Sequence, residues 1–295
     1  MPREPAGSGR PPAPGASVTK RAREEVRGRE VAAVTDSLSG PGVPSPARMY
    51  DYMLGGDAHQ RCDRDAVAKV LEALPEAPLL ARANRTFALA AVRYCAAQGI
   101  RQFIDMGTGI PTSPSVFEIA RACSPEAKVV GVDCDPVVLT EGATSVSSAS
   151  SALIEGDVRE PERLLGAPAL RRLIDLDEPV AVLLVAVLHF ISDEEDPVAI
   201  VARIRQLLAP GSVLAVSHIC GTGSDPEAVR RIEGVYRQSS GAFHIRSERG
   251  IRELFGDLPL ARPGHLVDVQ RWGTDSPSAP TPVRIVAGVS APIPP

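Results

Sequence analysis

Apolar positions along the 295-residue chain follow two different spacings. Ahead of residue 98 they recur every three or four residues, as Leu79, Leu80, Ala83, Phe87, Ala90, Ala91 and Tyr94 do, which is the stripe of a helix packed on one side. From Ile100 they gather instead into short apolar runs separated by helix-spaced stretches, the signature of a mostly parallel sheet covered on both faces. The pattern predicts strands over 102–105, 128–133, 151–155, 180–188, 212–218, 264–271 and 283–289. It predicts helices over 63–74 and 77–97 before the sheet, and over 114–123, 136–143, 160–172, 196–208, 225–238 and 248–255 within it. A further short helix begins at Pro46, capped by Ser45 and ended by Gly55-Gly56. The connection over 273–282 is polar and proline-rich, too short for a crossover helix, so the last two strands are expected to pair antiparallel.

These elements assemble into an α/β fold: a Rossmann-like, doubly wound, seven-stranded, mostly parallel sheet with an antiparallel closing hairpin and a helical N-terminal cap. Four segments are expected: a disordered tail over 1–43, a helical cap or lid over 44–98, a ligand-binding domain over 99–290 and a short tail over 291–295. The stretch 18–34 within the first tail carries interleaved basic and acidic residues and reads as a solvated segment.

Composition narrows the function classes. A net charge of −4, with only three lysines among 32 basic residues, gives no broad attraction for nucleic acid. The longest apolar run, 180–188, is far short of the roughly 18 residues a membrane helix needs, and the N-terminus lacks the apolar core of a signal peptide. The five cysteines are odd in number, scattered and without partners at metal spacing, which suits a reducing cytoplasm and predicts no metal site.

The chemistry is concentrated where strands end. Gln102-Phe103-Ile104-Asp105-Met106-Gly107-Thr108-Gly109 reads as a buried strand that ends on a carboxylate and turns through two glycines into a helix. Gly107 and Gly109 let main-chain amides approach a ligand, and the helix N-terminus adds a partial positive charge. No Lys or Arg occurs from Phe103 to Ala120, so nothing there is built to neutralise a triphosphate. Asp133 ends the second predicted strand, 26 residues after Gly107, where a carboxylate can accept both hydroxyls of a ribose. Asp157 follows the third strand and can take the exocyclic amine of an adenine. The adenosine ligand this suits carries no phosphate: the third glycine of a dinucleotide fingerprint is replaced by Thr112, and Asp133 with Asp135 would repel a 2′-phosphate. S-adenosyl-L-methionine, a sulfonium cation, fits better.

The chain resembles the class I S-adenosylmethionine-dependent methyltransferases. More narrowly it is similar to the S-adenosyl methyltransferase family of high-GC bacteria, once catalogued as a domain of unknown function. The resemblance is carried by Ser45-Pro46-Ala47-Arg48-Met49-Tyr50-Asp51-Tyr52-Met53-Leu54-Gly55-Gly56, Arg82-Ala83-Asn84-Arg85, the stretches from Ile100 to Thr112, from Val132 to Leu139 and from Leu183 to Phe190, and Ala209-Pro210-Gly211-Ser212. It implies that Asp105, Gly107 and Gly109 hold the methionine end of the cofactor, Asp133 the ribose, and Asp157 with Val158 the adenine, with Thr108 and Cys134 among the residues that line it. The general loop often has a third glycine where this chain has Pro111, as the narrower family does. The expected activity is methyl transfer to a small-molecule acceptor; a non-catalytic sensor of the cofactor and a nicotinamide dehydrogenase are the alternatives.

Single residues complete the expectation. His189 and His218, each near a strand end on the acceptor side, are candidate bases. Arg48 and Tyr50 can close over the cofactor as part of a lid, with the aromatic face favouring a sulfonium. Asn84 and Arg85 can meet its carboxylate. Ser192-Asp193-Glu194-Glu195-Asp196-Pro197 reads as helix capping rather than a metal cluster, and Trp272 as packing.

Overall fold

The structure, a computed structural model, describes residues 42–146, 148–239, 241, 243–261, 263–273 and 280–295. The expected tail over 1–43 lies outside these residues except for Gly42 and Val43. Among the described residues three helices precede the sheet: α1 Pro46–Leu54, α2 Arg61–Ala73 and α3 Ala77–Ala97. Ser45 caps α1, Pro46 occupies its first turn, and Gly55 ends it. Asp63, at the start of α2, is fully buried. It accepts from the Ser45 amide at 2.9 Å, the Arg48 Nε at 2.6 Å and the Gln60 amide at 2.7 Å. A charge can be held in the interior there because it is paired and hydrogen-bonded.

The rest of the chain alternates β1 Gln102–Met106, α4 Val116–Cys123, β2 Lys128–Asp133, α5 Pro136–Val146, β3 Ser151–Glu155, α6 Pro161–Leu165, α7 Pro168–Arg171 and β4 Val180–Val185. It continues with α8 Pro197–Gln206, β5 Val213–Cys220, α9 Pro226–Tyr236, α10 Glu248–Glu253, β6 Val267–Asp268 and β7 Arg284–Val289. The strand order is β3-β2-β1-β4-β5-β7-β6. Six strands run one way, and β7 opposes its two neighbours β5 and β6. The chain winds outward from β1 to β3, then returns to the other side of β1 as β4. That reversal opens a crevice beyond the carboxyl ends of β1 and β4.

Side-chain alternation explains why the sheet is covered on both faces. Ile104, Val130, Val182, Leu184, Leu214 and Val216 point to a core completed by residues of α6, α7, α8 and α10. Phe103, Val129, Ala181, Leu183, Val213 and Ala215 point to the other, against α3 and α4. Each fully buried Leu, Ile or Phe contributes about 2 kcal/mol of transfer free energy. A third cluster joins α1 and α2 to α9 through Met49, Val67, Val70, Ile219 and Ile232. Trp272 packs edge-on against Phe87, with ring centroids 5.2 Å apart.

Three predicted elements differ. The helix expected over 160–172 is two short helices, broken around Gly166-Ala167-Pro168, where Pro168 lacks an amide to continue the ladder. The strand expected over 180–188 stops at Val185, because Ala186 takes a left-handed φ of +55° and Leu188–Phe190 forms a 3-10 turn. The strand expected over 264–271 is reduced to Val267–Asp268, followed by the 3-10 turn Val269–Arg271; it does pair antiparallel with β7. The final residues are fastened: the Ile293 amide donates to Ser212 O, and Ile293 O accepts from Gly211, both at 2.8 Å.

Candidate active site

The turn after β1 hangs on its neighbour. The amides of Gly107 and Thr108 both donate to Val132 O, at 2.8 and 3.0 Å. Gly107 has φ +71°, and a Cβ there would lie 2.5 Å from Cγ2 of Val187, so both its conformation and the approach of the β4 loop require glycine. Gly109 has φ +63° and nothing within 4 Å of where its Cβ would be. That is open crevice, a cradle a side chain would fill. The Gly109 amide donates to Oδ2 of Asp133 at 2.9 Å, and Oδ1 accepts from the Asp135 amide at 3.0 Å. Burial pushes the Asp133 carboxyl up to about 6, against the lowering effect of these amides. Asp105 is buried beneath the same turn. Desolvation raises its pKa, opposed by a 2.8 Å bond from the Thr108 hydroxyl and by the charge of Arg85.

The remaining residues predicted to line the cofactor lie at the neighbouring strand ends. Cys134 is exposed between Asp133 and Asp135. Asp157 is gripped by Arg159, whose Nε lies 2.9 Å from both carboxylate oxygens and whose Nη1 reaches Glu195 at 2.9 Å. Val158 is buried in the core beneath. Arg85 donates to Thr112 O at 2.6 Å and Pro114 O at 3.1 Å, and so holds the far end of the glycine loop.

The cap residues are drawn into supports. Arg48 is buried and spends its guanidinium on Asp63 and on Val43 O, the latter at 2.8 Å. Tyr50 and Asn84 are bonded to each other at 3.0 Å, and Asn84 also accepts from Ser217 at 2.6 Å. Ser45, whose sequence signal was only that of a helix cap, donates to Oδ2 of Asp135 at 2.6 Å.

His189 lies in the 3-10 turn beyond β4 rather than at a strand end. Its ring is buried against Phe190, Phe243 and His218, with centroids 4.6, 4.8 and 5.4 Å away. Its Nδ1 is buried with no hydrogen-bond partner among the described residues. Desolvation, reinforced by His218 and Arg246, holds its pKa well below 6.5, so it is a neutral imidazole. His218 is different. Its Nδ1 must donate to Ile219 O at 2.7 Å, which leaves Nε2 to accept from Arg246 at 3.0 Å. Burial lowers its pKa to about 4. Arg246 completes the support with bonds to Leu188 O at 2.9 Å, Ile191 O at 2.6 Å and Asp193 at 2.7 Å.

The acids near Ser192 behave as caps: the Ser192 amide donates to Glu195 at 2.8 Å, and Asp196 accepts from Ala199 at 3.0 Å at the start of α8. Arg159, Ser217 and Arg246 were not singled out from the sequence. Only Arg159, two residues from Asp157, carried a local signal; Ser217 and Arg246 act on residues 28 or more positions away.

A family model described as S-adenosyl methyltransferase matches residues 35–292. The chain is similar to the crystal structure of a candidate methyltransferase from Thermobifida fusca YX, at 34% identity and a TM-score of 0.80, over 86% of this chain and 96% of that one. It is also similar to a DUF574 family protein from Streptomyces avermitilis MA-4680, at 36% identity and a TM-score of 0.80, over 86% and 98%. No curated protein matches it.

Proposed function

The chain belongs to the S-adenosyl methyltransferase family, and from that premise we propose that it transfers the methyl group of S-adenosyl-L-methionine to an uncharged small-molecule acceptor presented beside His189. One observation carries the cofactor half of this reading. The crevice beyond β1 pairs an open cradle at Gly109 with the carboxylates of Asp105 and Asp133, and the arginines nearest it are engaged by main-chain carbonyls or by acids. Such a surface favours a cationic nucleoside without phosphate and disfavours a dinucleotide.

When bound, the cofactor supplies an electrophilic methyl carbon, whose bond to sulfur breaks as an acceptor lone pair bonds to it. The chain's own contribution is placement and exclusion of water. Asp105 and the open cradle at Gly109 border the methionine end, Asp133 takes the ribose hydroxyls, Asp157 and Val158 border the adenine, and Cys134 lines the cofactor beside Asp133. Tyr50 closes from the cap, with Arg48 and Asn84 as its supports. His189 offers a neutral imidazole to an acceptor hydroxyl or amine, as a hydrogen-bond acceptor and proton receiver. His218, with both nitrogens engaged, positions it. Localisation in the cytoplasm and an acceptor other than nucleic acid belong to the same reading, on charge and cysteine pattern.

Isothermal titration with S-adenosylmethionine and with S-adenosylhomocysteine tests it. Binding by the native chain and its loss in Asp133→Ala are expected; no binding by folded protein overturns the assignment. Release of S-adenosylhomocysteine with a small-molecule extract of the producing cell then separates an enzyme from a sensor, which would bind without turnover.

A further inference from the structure

The β4 loop begins with a backbone in a conformation that alanine disfavours. Ala186 has φ +55°, a left-handed geometry that glycine adopts freely and a residue with a Cβ adopts at a cost. The bend is what brings Val187 round to the glycine turn, so close that a methyl group on Gly107 would lie 2.5 Å from its side chain. Something must hold Ala186 there.

A one-way chain of hydrogen bonds does so. The Ala186 amide donates to the Ser217 hydroxyl at 3.0 Å and, more weakly, to Ser217 O at 3.2 Å. The same hydroxyl donates to Oδ1 of Asn84 at 2.6 Å. The Asn84 amide donates to the Tyr50 oxygen at 3.0 Å, and the Tyr50 hydroxyl donates to Ala81 O at 2.9 Å. Ser217 is fully buried and Asn84 is 1% exposed, so water cannot substitute for a lost partner. Each hydroxyl has one proton to give, which fixes the direction of every bond and the orientation of the Asn84 amide. The chain crosses four elements: the end of β4, β5, α3 and α1. Helix α1 is also fastened at its other end, where Ser45 bonds Asp135 two residues past the ribose-side acid.

We propose that Ser217 and Asn84 are positioning residues that clamp the Ala186-Val187 corner against the glycine turn, and that Tyr50 ties docking of helix α1 to the shape of the methionine end of the pocket. The consequence for cofactor binding rests on the reading of this crevice as the S-adenosylmethionine site; the clamp itself does not.

Two measurements therefore test the two parts. Thermal unfolding without cofactor is compared for native protein, Ser217→Ala, Ala186→Gly and the double variant. Because glycine needs no holding at φ +55°, Ser217→Ala is expected to lower the melting temperature at most half as much in the Ala186→Gly background as in the native one. A double variant as unstable as the sum of the two singles overturns the clamp, since loss of a buried hydroxyl for packing reasons alone would not be rescued from residue 186. Titration with S-adenosylhomocysteine then compares Tyr50→Phe, Ser217→Ala and their combination. Each single change is expected to weaken binding roughly tenfold, and the combination no more than the worse single, because both act through Asn84. Unchanged affinity in the singles, or multiplied losses in the double, overturns the coupling. Failure of the native protein to bind would instead overturn the function proposed above and leave the unfolding cycle to decide the clamp.

Discussion

The amide of Gly109 and the Oδ2 oxygen of Asp133 are 2.9 Å apart, so the glycine turn and the acid proposed to receive the ribose are bonded to each other. An ionised carboxylate accepts that amide best, yet burial raises the Asp133 carboxyl to about 6. Binding of ribose hydroxyls favours the same ionised form. Affinity for S-adenosylhomocysteine is therefore expected to be constant above neutrality and to fall as pH drops through about 6, approaching tenfold per pH unit below it. Titration across that range checks it, with Asp133→Asn expected to be weak and flat.

Stability should answer to the same group with the opposite sign. The folded-state pKa of Asp133 lies above its ordinary 3.8, so its contribution is fully present below that value and is lost as pH rises through about 6. His218 is depressed from 6.5 to about 4, so its contribution is present above 6.5 and is lost as pH falls. The two oppose each other across the same window. Removing the carboxyl in Asp133→Asn is expected to steepen the rise of unfolding free energy with pH between about 4 and about 6, by about 2 kcal/mol after allowance for solvent screening. Urea midpoints of both proteins at several pH values measure the difference.

The two glycines of the turn should fail differently. Gly107→Ala must displace Val187 as well as strain the backbone, so a loss of about 2 kcal/mol of fold stability is expected. Gly109→Ala meets nothing and strains only φ, costing about 1 kcal/mol of stability, while its methyl group occupies the cradle and removes cofactor binding. Unfolding and titration on the pair separate the effects.

His189 carries a buried nitrogen without a partner among the described residues. Replacing it by Phe among Phe190 and Phe243 relieves that desolvation, so His189→Phe is expected to stabilise the fold by about 1 kcal/mol and leave cofactor affinity intact. Methyl transfer, followed as S-adenosylhomocysteine release, should fall. Arg246→Met works the other way: the carbonyls of Leu188 and Ile191 lose their donor, and a loss of about 3 kcal/mol is expected in denaturant unfolding.

The chain's order of residues was enough to determine the layered α/β architecture, the cap, and the row of acids and glycines at the ends of β1, β2 and β3. Those features are written in local spacing: a period near two or near 3.6 decides strand or helix, and Asp133 or Gly109 acquires its place from the strand it ends. The tertiary structure alone decided where β4 stops, because the left-handed turn at Ala186 depends on Ser217, and no local signal marks an alanine in that conformation. It also decided that Arg48 serves Asp63, that His218 is enclosed by Ile219 O and Arg246 while His189 keeps a nitrogen unpartnered among the described residues, and that Tyr50 and Asn84 belong to one hydrogen-bonded chain. Each of these rests on a buried polar group finding its partner across a distance in sequence that periodicity does not span, and burial is what makes such a partner obligatory.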